Sequence, residues 1–395
     1  MADPDRLRVA FVAGGLPADV RHLESASRDV DLTVYCSRWQ PRHGTTRTSV
    51  PAGLRVRSFD PVVRSGRGHL MFVYRGLWNA LAQDSPDVVH VLSEPWGLLA
   101  VQAATWTRAH PATRLVVHGC DTLWHHGGVA EKWIRRSLLR RTVPRIHAWV
   151  AESGKALDIA AENGLPKDSL RARIHTNPRD GRLFRPPEPA ERTRARAALG
   201  VTEDRVAVGL LGRLVPEKGV RLFLDAAESL LDGGFPGTFF IAGAGPLQDE
   251  VRHRASPRLV SLGKLAHPRG VLGLFQALDV LACPSLATPS WEDQGPRSLL
   301  EAMMCGCIPV GTPTGAIPEM LGEHGVLAQS TQPGAVAEAM ASAAQLSRDG
   351  GRRMQLASWA HDLYSAEAVA GQLVNLWQAV ASRPAGRPTG GRSAT

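Results

Sequence analysis

Short apolar runs alternate with helix-patterned stretches, twice over, and this rhythm constrains the fold of the 395-residue chain more than any other feature. In the first half the runs are Leu7–Val12, Leu32–Cys36, Leu54–Phe59, Val88–Leu92, Leu115–His118 and Ala148–Ala151. Most are apolar at consecutive positions, the pattern of parallel strands covered by helices on both faces. Helical periodicity fills the intervals, as at Gly97–Arg108 and Ala130–Arg141. The second half has strand patterns at Val206–Leu211, Thr238–Ala242, Leu259–Leu262, Val280–Cys283, Ile308–Gly311 and Val326–Ala328. Its helices are expected near Val220–Leu231, Gly270–Ala277, Pro296–Cys305 and Ala335–Leu346. No sequence repeat accompanies this duplicated architecture. The expectation is an α/β protein of two doubly wound domains facing each other across a cleft, with ligands at the carboxyl ends of the strands.

The Pro-, Arg- and Glu-rich segment Arg182–Thr202 reads as a linker between a first domain, 1–185, and a second, 186–360. A last long helix, about Arg352–Val380, carries Trp359, Leu363, Leu373 and Trp377, and its part 361–382 is expected to pack back on the first domain. The tail 383–395 has the composition of a disordered segment.

Net charge is 46 − 37 = +9, and only five of the basic residues are lysines: Lys132, Lys155, Lys167, Lys218 and Lys264. Such a balance suits an anionic ligand, a membrane surface or nucleic acid, and it equally suits plain solubility. No aromatic-interleaved basic motif supports nucleic acid as a partner. The basic helical run Lys132–Arg141 would fit an anionic membrane, although a solvated face is the favoured reading. Five cysteines (Cys36, Cys120, Cys283, Cys305, Cys307) form neither a zinc-spaced quartet nor a disulfide framework. With no run approaching the length of a membrane span, the expected location is the cytoplasm. Nothing in the sequence speaks to oligomeric state.

Two constellations carry chemistry. Gly212-Arg213-Leu214-Val215-Pro216-Glu217-Lys218-Gly219 follows a strand and precedes a helix, where free backbone N–H groups and the helix dipole favour an anion. Arg213 and Lys218 add two cations, a set that suits a diphosphate; a solvated basic loop is the competing account. In the second, Asp293 precedes a helix and Glu301 lies eight residues on, within the apolar run Leu299–Cys307. A helix-capping acid and a solvated acid would explain them, but an acid among apolar residues needs a partner, and sugar hydroxyls are suitable. The Gly295-Pro296 turn is expected to leave the amides of Ser298 and Leu299 unpaired and facing phosphate.

These motifs, "GRLVPEKG" and "ED…LLEAMMCGCIPVGTPTGAIPEML", resemble those of the retaining glycosyltransferases of family 4 (group 1), which have the GT-B fold of two Rossmann-like domains. The resemblance extends over nearly the whole chain through Gly14-Gly15, His118, Ser153, Asn177-Pro178 with Asp180 and Phe184, and Gly243-Ala244-Gly245-Pro246. It implies transfer of a sugar from a UDP- or GDP-sugar to a small-molecule acceptor, with retention and with neither metal nor other cofactor. Arg213 and Lys218 would hold the diphosphate, with Gly212, Gly243, Gly295, Ser298 and Leu299 lining the donor site. Glu301 would take the ribose hydroxyls, Asp293 the donor-sugar hydroxyls, and the backbone near Leu265 the base. Gly15 would approach the phosphate from the other domain, and His118 would face the transferred sugar. Arg213, Lys218, Asp293 and His118 are thus the implied catalytic set.

Three departures stand out. Asp293 is one methylene shorter than the usual Glu, beside Glu292; Gly295-Pro296 replaces Phe-Gly; and the histidine after Gly14-Gly15 is displaced to His22. They keep open a repurposed nucleotide-sugar binder. Glu94, in Glu94-Pro95-Trp96-Gly97, and Asp121 join His118 as acceptor-side candidates, helix entry being an equal account of the first. His118-Gly119-Cys120-Asp121 with Trp124, His125 and His126 superficially resembles a metal cluster, but no matching third set of ligands accompanies it.

Overall fold

The structure is a computed structural model that describes residues 6–16, 19–37, 52–63, 73–122, 128–162, 164, 169–175 and 177–383. It divides into two compact units: the chain up to Pro178 together with the segment from Ala366, and Arg179–Ser365.

The first unit contains β1 (Arg8–Ala13), α1 (Arg21–Ala26), β2 (Asp31–Ser37), β3 (Arg55–Phe59), β4 (Pro61–Val63), β5 (Val73–Tyr74), α2 (Leu77–Asp84), β6 (Val88–Leu92), α3 (Leu98–Ala109), β7 (Arg114–Gly119), α4 (Val129–Thr142), β8 (Ile146–Ala151), α5 (Gly154–Glu162) and β9 (Leu170–Arg173). Seven strands form a parallel sheet in the order β3-β2-β1-β6-β7-β8-β9, while β4 and β5 form a separate antiparallel ribbon. The period-2 alternation of side chains explains the continuous apolar runs. Val9, Phe11 and Ala13 of β1 enter the core on one face of the sheet, and Ala10 and Val12 enter the core on the other.

The second unit contains α6 (Pro189–Ala198), β10 (Val206–Leu211), α7 (Val220–Asp232), β11 (Gly237–Ala242), α8 (Gln248–His253), β12 (Leu259–Gly263), α9 (Arg269–Ala277), β13 (Val280–Cys283), α10 (Arg297–Met304), β14 (Ile308–Gly311), α11 (Ile317–Leu321), β15 (Val326–Leu327), α12 (Pro333–Leu346) and α13 (Gly350–Tyr364). Its parallel sheet runs β12-β11-β10-β13-β14-β15 around one continuous apolar core. The last helix, α14 (Ala366–Ala381), belongs to the first unit, where it packs on α1 and buries Val369, Leu373 and Trp377.

Two expectations are corrected. The proposed linker holds α6, begun by a capping box in which Glu188 and Glu191 each accept the other's backbone N–H, with Pro189 in the first turn. Arg192 and Arg196 of α6 then pair with Asp279 at 2.5 and 3.1 Å, tying it into the second unit. The division between units therefore falls at Pro178/Arg179. The single long terminal helix is two helices broken at Ser365, which is extended (φ −67°, ψ 154°) and bridges Arg179, while Arg179 N–H donates to Tyr364 C=O at 2.9 Å. Pairing between distant backbones makes this break, so no glycine or proline marks it. The tail from 384 onward lies outside the described residues.

Candidate active-site groups in the two units

In the second unit the strand order reverses between β10 and β13, and loops leaving the carboxyl ends of such strands form the ligand crevice of open α/β sheets. The loop after β10 holds Gly212, Arg213 and Lys218. Gly212 and Leu214 donate backbone N–H groups to Ala242 and Ala244 at 3.1 and 3.0 Å, which ties this loop to Gly243-Ala244-Gly245 after β11. Arg213 points outward, exposed and with no hydrogen bond to its guanidinium among the described residues. Pro216–Lys218 then form a 3₁₀ turn that ends at Gly219. Gly219 has φ +66°, and a Cβ there would lie 1.8 Å from the Pro284 carbonyl oxygen. Only glycine lets the loops after β10 and β13 meet this closely.

The loop after β13 supplies Ser285, Trp291 and Asp293. Lys218 Nζ lies 2.6 Å from Asp293 Oδ2, Ser285 Oγ donates to the same oxygen at 2.7 Å, and the ammonium sits 5.2 Å from the Trp291 ring centroid. Asp293 is buried. Its backbone carbonyl accepts Ala316 N–H at 2.8 Å, beside Gly315. Lys218, expected to hold the diphosphate, is paired with Asp293 here.

Glu301 projects from α10 and is also buried. Its Oε1 is 2.8 Å from Arg179 Nε and 3.1 Å from His267 Nε2, while Oε2 makes no hydrogen bond among the described residues. A buried carboxylate with one oxygen held and one available can receive hydroxyl donors. At the start of α10 one expectation is corrected: Leu299 N–H is taken by Pro296 C=O at 3.0 Å. Of the expected amide pair only Ser298, with Gly295 just before it, lacks a backbone acceptor among the described residues. Leu265, half-buried after β12, has neither backbone group hydrogen-bonded among them. The sequence reading missed Arg179, His267 and Ser285, and it gave no role to Trp291, which opens the second constellation. Arg179 lies inside the singled-out run Asn177–Asp180, but nothing local links it to Glu301, 122 positions on.

In the first unit Gly15 and Glu94 follow β1 and β6, the pair at which that sheet's order reverses, and a Cβ on Gly15 would meet nothing within 4 Å. Glu94 is buried, and its Oε1 accepts the backbone N–H groups of Cys120 and Asp121 at 2.6 and 3.0 Å. Burial, then the nearby Asp121 charge, pushes the Glu94 carboxyl up to about 8. Glu94, Cys120 and Asp121 bring one potential ligand atom each within 4.8 Å of one another. Burial also raises the Cys120 thiol well above its ordinary value, so at neutral pH this trio offers a protonated thiol and a mostly protonated Glu94, a weak cation donor set. Trp124, His125 and His126 lie outside the described residues.

His118 faces inward, contrary to the expectation that it meets a sugar. Trp377 Nε1–H donates to His90 Nδ1 at 2.8 Å, His90 Nε2 lies 3.2 Å from His118 Nδ1, and His118 Nε2 lies 3.0 Å from the Ile174 carbonyl. An indole is only a donor and a carbonyl only an acceptor, so a single assignment satisfies the chain. Both histidines are neutral and carry their proton on Nε2. Burial agrees, depressing His118 to about 3 and His90 well below its ordinary value.

A family model described as "Glycosyl transferases group 1" matches residues 205–345, and one described as "Glycosyltransferase Family 4" matches residues 20–176. The chain is 32% identical over 273 residues to 2-deoxystreptamine N-acetyl-D-glucosaminyltransferase of Streptomyces fradiae, a match covering 66% of this chain and 59% of that protein. It is 29% identical over 240 residues to D-inositol 3-phosphate glycosyltransferase of Corynebacterium urealyticum, covering 56% and 54%. The matches thus span little more than half the length of these two relatives. Among solved structures, Anabaena HepE in complex with UDP is similar over 94% of this chain and 100% of that one, with TM-score 0.67 and 19% identity. WaaG, a glycosyltransferase of lipopolysaccharide biosynthesis, is similar over 97% and 100%, with TM-score 0.60 and 15% identity. Two Rossmann-like units with these neighbours make the fold GT-B.

Proposed function

Because this chain belongs to the family 4 (group 1) glycosyltransferases, we propose that it moves a sugar from a UDP- or GDP-sugar to a small polyhydroxylated acceptor, with retention and without a metal. The observation that carries this reading is the cluster at the β10/β13 reversal: exposed Arg213, the Lys218–Asp293 pair and the half-occupied carboxylate of Glu301. In this reading the ribose hydroxyls donate to Glu301 Oε2 while Arg179 and His267 hold Oε1. The base meets the open backbone of Leu265. The diphosphate meets Arg213, Ser298 N–H and Lys218, competing with Asp293 for the last. The acceptor oxygen bonds to the anomeric carbon on the face from which the diphosphate departs, and the departing phosphate oxygen takes the acceptor's proton. Arg213 and Lys218 stabilise the charge that grows on that phosphate, a preorganised electrostatic effect.

Two relatives named for deoxystreptamine and two for inositol 3-phosphate support a ring polyol as acceptor, in specialised-metabolite or cell-envelope glycoside synthesis. Location in the cytoplasm is part of the same proposal; no helix among the described residues is long and apolar enough to cross a membrane. A thermal-shift series with UDP, GDP, ADP and their sugars tests the donor class. A ligand at about 100 times its Kd adds about 2.7 kcal/mol of stability. Slow donor hydrolysis in chelator should accompany a positive shift. Binding with neither hydrolysis nor transfer to any ring polyol would make the chain a nucleotide-sugar binder instead.

A further inference from the structure

We propose that Trp291 is a positioning residue for the donor diphosphate, its indole face holding the Lys218 ammonium where a phosphate can engage it. This role rests on the donor reading above and adds a residue to it. Trp291 is the one aromatic residue between Cys283 and α10. It is half-buried and belongs to none of the three apolar cores of the described residues, so core packing does not account for its place. The turn that carries it closes without the ring. Thr288 N–H donates to the Trp291 carbonyl at 2.7 Å, Trp291 N–H donates to the Thr288 carbonyl at 3.3 Å, and Ser290 N–H donates to Thr288 Oγ1 at 3.3 Å. The ring itself meets a cation, Lys218 Nζ, 5.2 Å from its centroid.

An ammonium has three N–H donors. Lys218 Nζ lies 2.6 Å from Asp293 Oδ2, and no other hydrogen-bond acceptor among the described residues takes its remaining donors. An indole face attracts a cation through its quadrupole, so it fixes where the ammonium sits and leaves those donors to an incoming oxyanion. Asp293 alone would hold only the tip of a flexible four-carbon stem. Carboxylate and ring together confine it, which removes the loss of rotamer freedom from the binding step. Ser285 Oγ donates to the same Asp293 oxygen at 2.7 Å and steadies the carboxylate in turn.

Titration calorimetry of the full chain with UDP, GDP and their monophosphates tests this. In the donor reading Lys218 serves the departing phosphate, the one farther from the ribose. Trp291→Leu should therefore weaken the diphosphate about 2- to 30-fold, the span of a cation–π contact, and leave the monophosphate unchanged. Trp291→Phe keeps a ring and should restore part of the loss. In a Lys218→Ala background Trp291→Leu should change nothing further, because the ring acts through the ammonium. Trp291 lies outside the cores, so the thermal midpoint of both variants at this position should match wild type. Equal losses for monophosphate and diphosphate, or wild-type binding by Trp291→Leu, overturns the proposal. So does a further loss in the Lys218→Ala background, since the ring would then touch the ligand itself. Failure of the wild-type chain to bind either diphosphate removes the donor reading, and this role with it.

Discussion

Lys218 Nζ and Asp293 Oδ2 stand 2.6 Å apart although the residues are 75 positions apart in sequence. The pair bridges the loops after β10 and β13, and it divides the two cations of the Gly212–Gly219 loop by role. Lys218 holds that loop to its neighbour, whereas Arg213 is exposed.

Substituting the two cations should therefore give different signatures. Arg213→Ala should leave stability within about 0.5 kcal/mol, since its side chain is exposed and makes no hydrogen bond or ion pair among the described residues, and reduce turnover about 100-fold or more. Lys218→Ala leaves Asp293 buried with only Ser285, and should cost about 3 kcal/mol in addition to its effect on turnover. Urea unfolding of both variants beside donor hydrolysis makes the comparison; equal stability losses would contradict the division.

Glu301 should separate folding from donor binding in the same way. Glu301→Ala removes the carboxylate from Arg179 and His267 and should cost about 2 kcal/mol. Glu301→Gln keeps an acceptor oxygen for His267 and should cost less, while the KM for donor rises in both. The test is a KM series with a single donor, and a wild-type KM in Glu301→Gln would remove Glu301 from the ribose site.

Gly315 sets the position of Asp293 from behind. Its φ is +57°, and a Cβ there would lie 1.9 Å from the Asp293 carbonyl oxygen. Gly315→Ala should therefore shift the Asp293 backbone, weaken the Lys218 pair and lower nucleotide-sugar affinity, with a thermal midpoint several degrees below wild type. Retained affinity in a destabilised variant would show that Asp293 lies outside the donor site.

The fold was legible from periodicity because buried parallel strands need apolar residues on both faces, and the two cores flanking β1 answer that need residue by residue. The loop groups were legible as chemistry but not as partnerships. Lysine 218 and Asp293 were each visible, whereas their pairing depends on the contact of Gly219 with Pro284, which only topology supplies. The strand β9 and the β4–β5 ribbon were missed: β9 alternates Leu170 and Ala172 with arginines, and the ribbon's strands have three and two residues. The inward turn of His118 was hidden because its partners, His90 and the Ile174 carbonyl, lie 28 and 56 positions away, and Trp377, which holds His90, lies 259 positions away.

Those buried imidazoles predict how the first unit responds to acid. Burial depresses His22 to about 4 and His118 to about 3, and burial, followed by the charge of His118, holds His90 well below its ordinary value. In the unfolded chain each would titrate near about 6.5. Between that pH and the folded values the unfolded state binds protons that the folded unit does not, so stability rises with pH. The stability is fully present above about pH 7 and is lost as the pH falls, at about 1.4 kcal/mol per pH unit for each imidazole. Hydrogen exchange at decreasing pH, corrected for intrinsic rates, should therefore show β1, β6 and β7 losing protection before β10 and β13. His22 has its Nδ1 buried without a partner among the described residues, so His22→Leu should remove one proton from the transition without breaking a hydrogen bond. Trp377→Phe should act oppositely: it strips His90 Nδ1 of its donor, costs about 1–3 kcal/mol, and lets ¹⁵N shifts report a mixed tautomer at His90 and His118. An unchanged acid slope in His22→Leu, or a single Nε2–H tautomer surviving in Trp377→Phe, would refute this account of the buried chain.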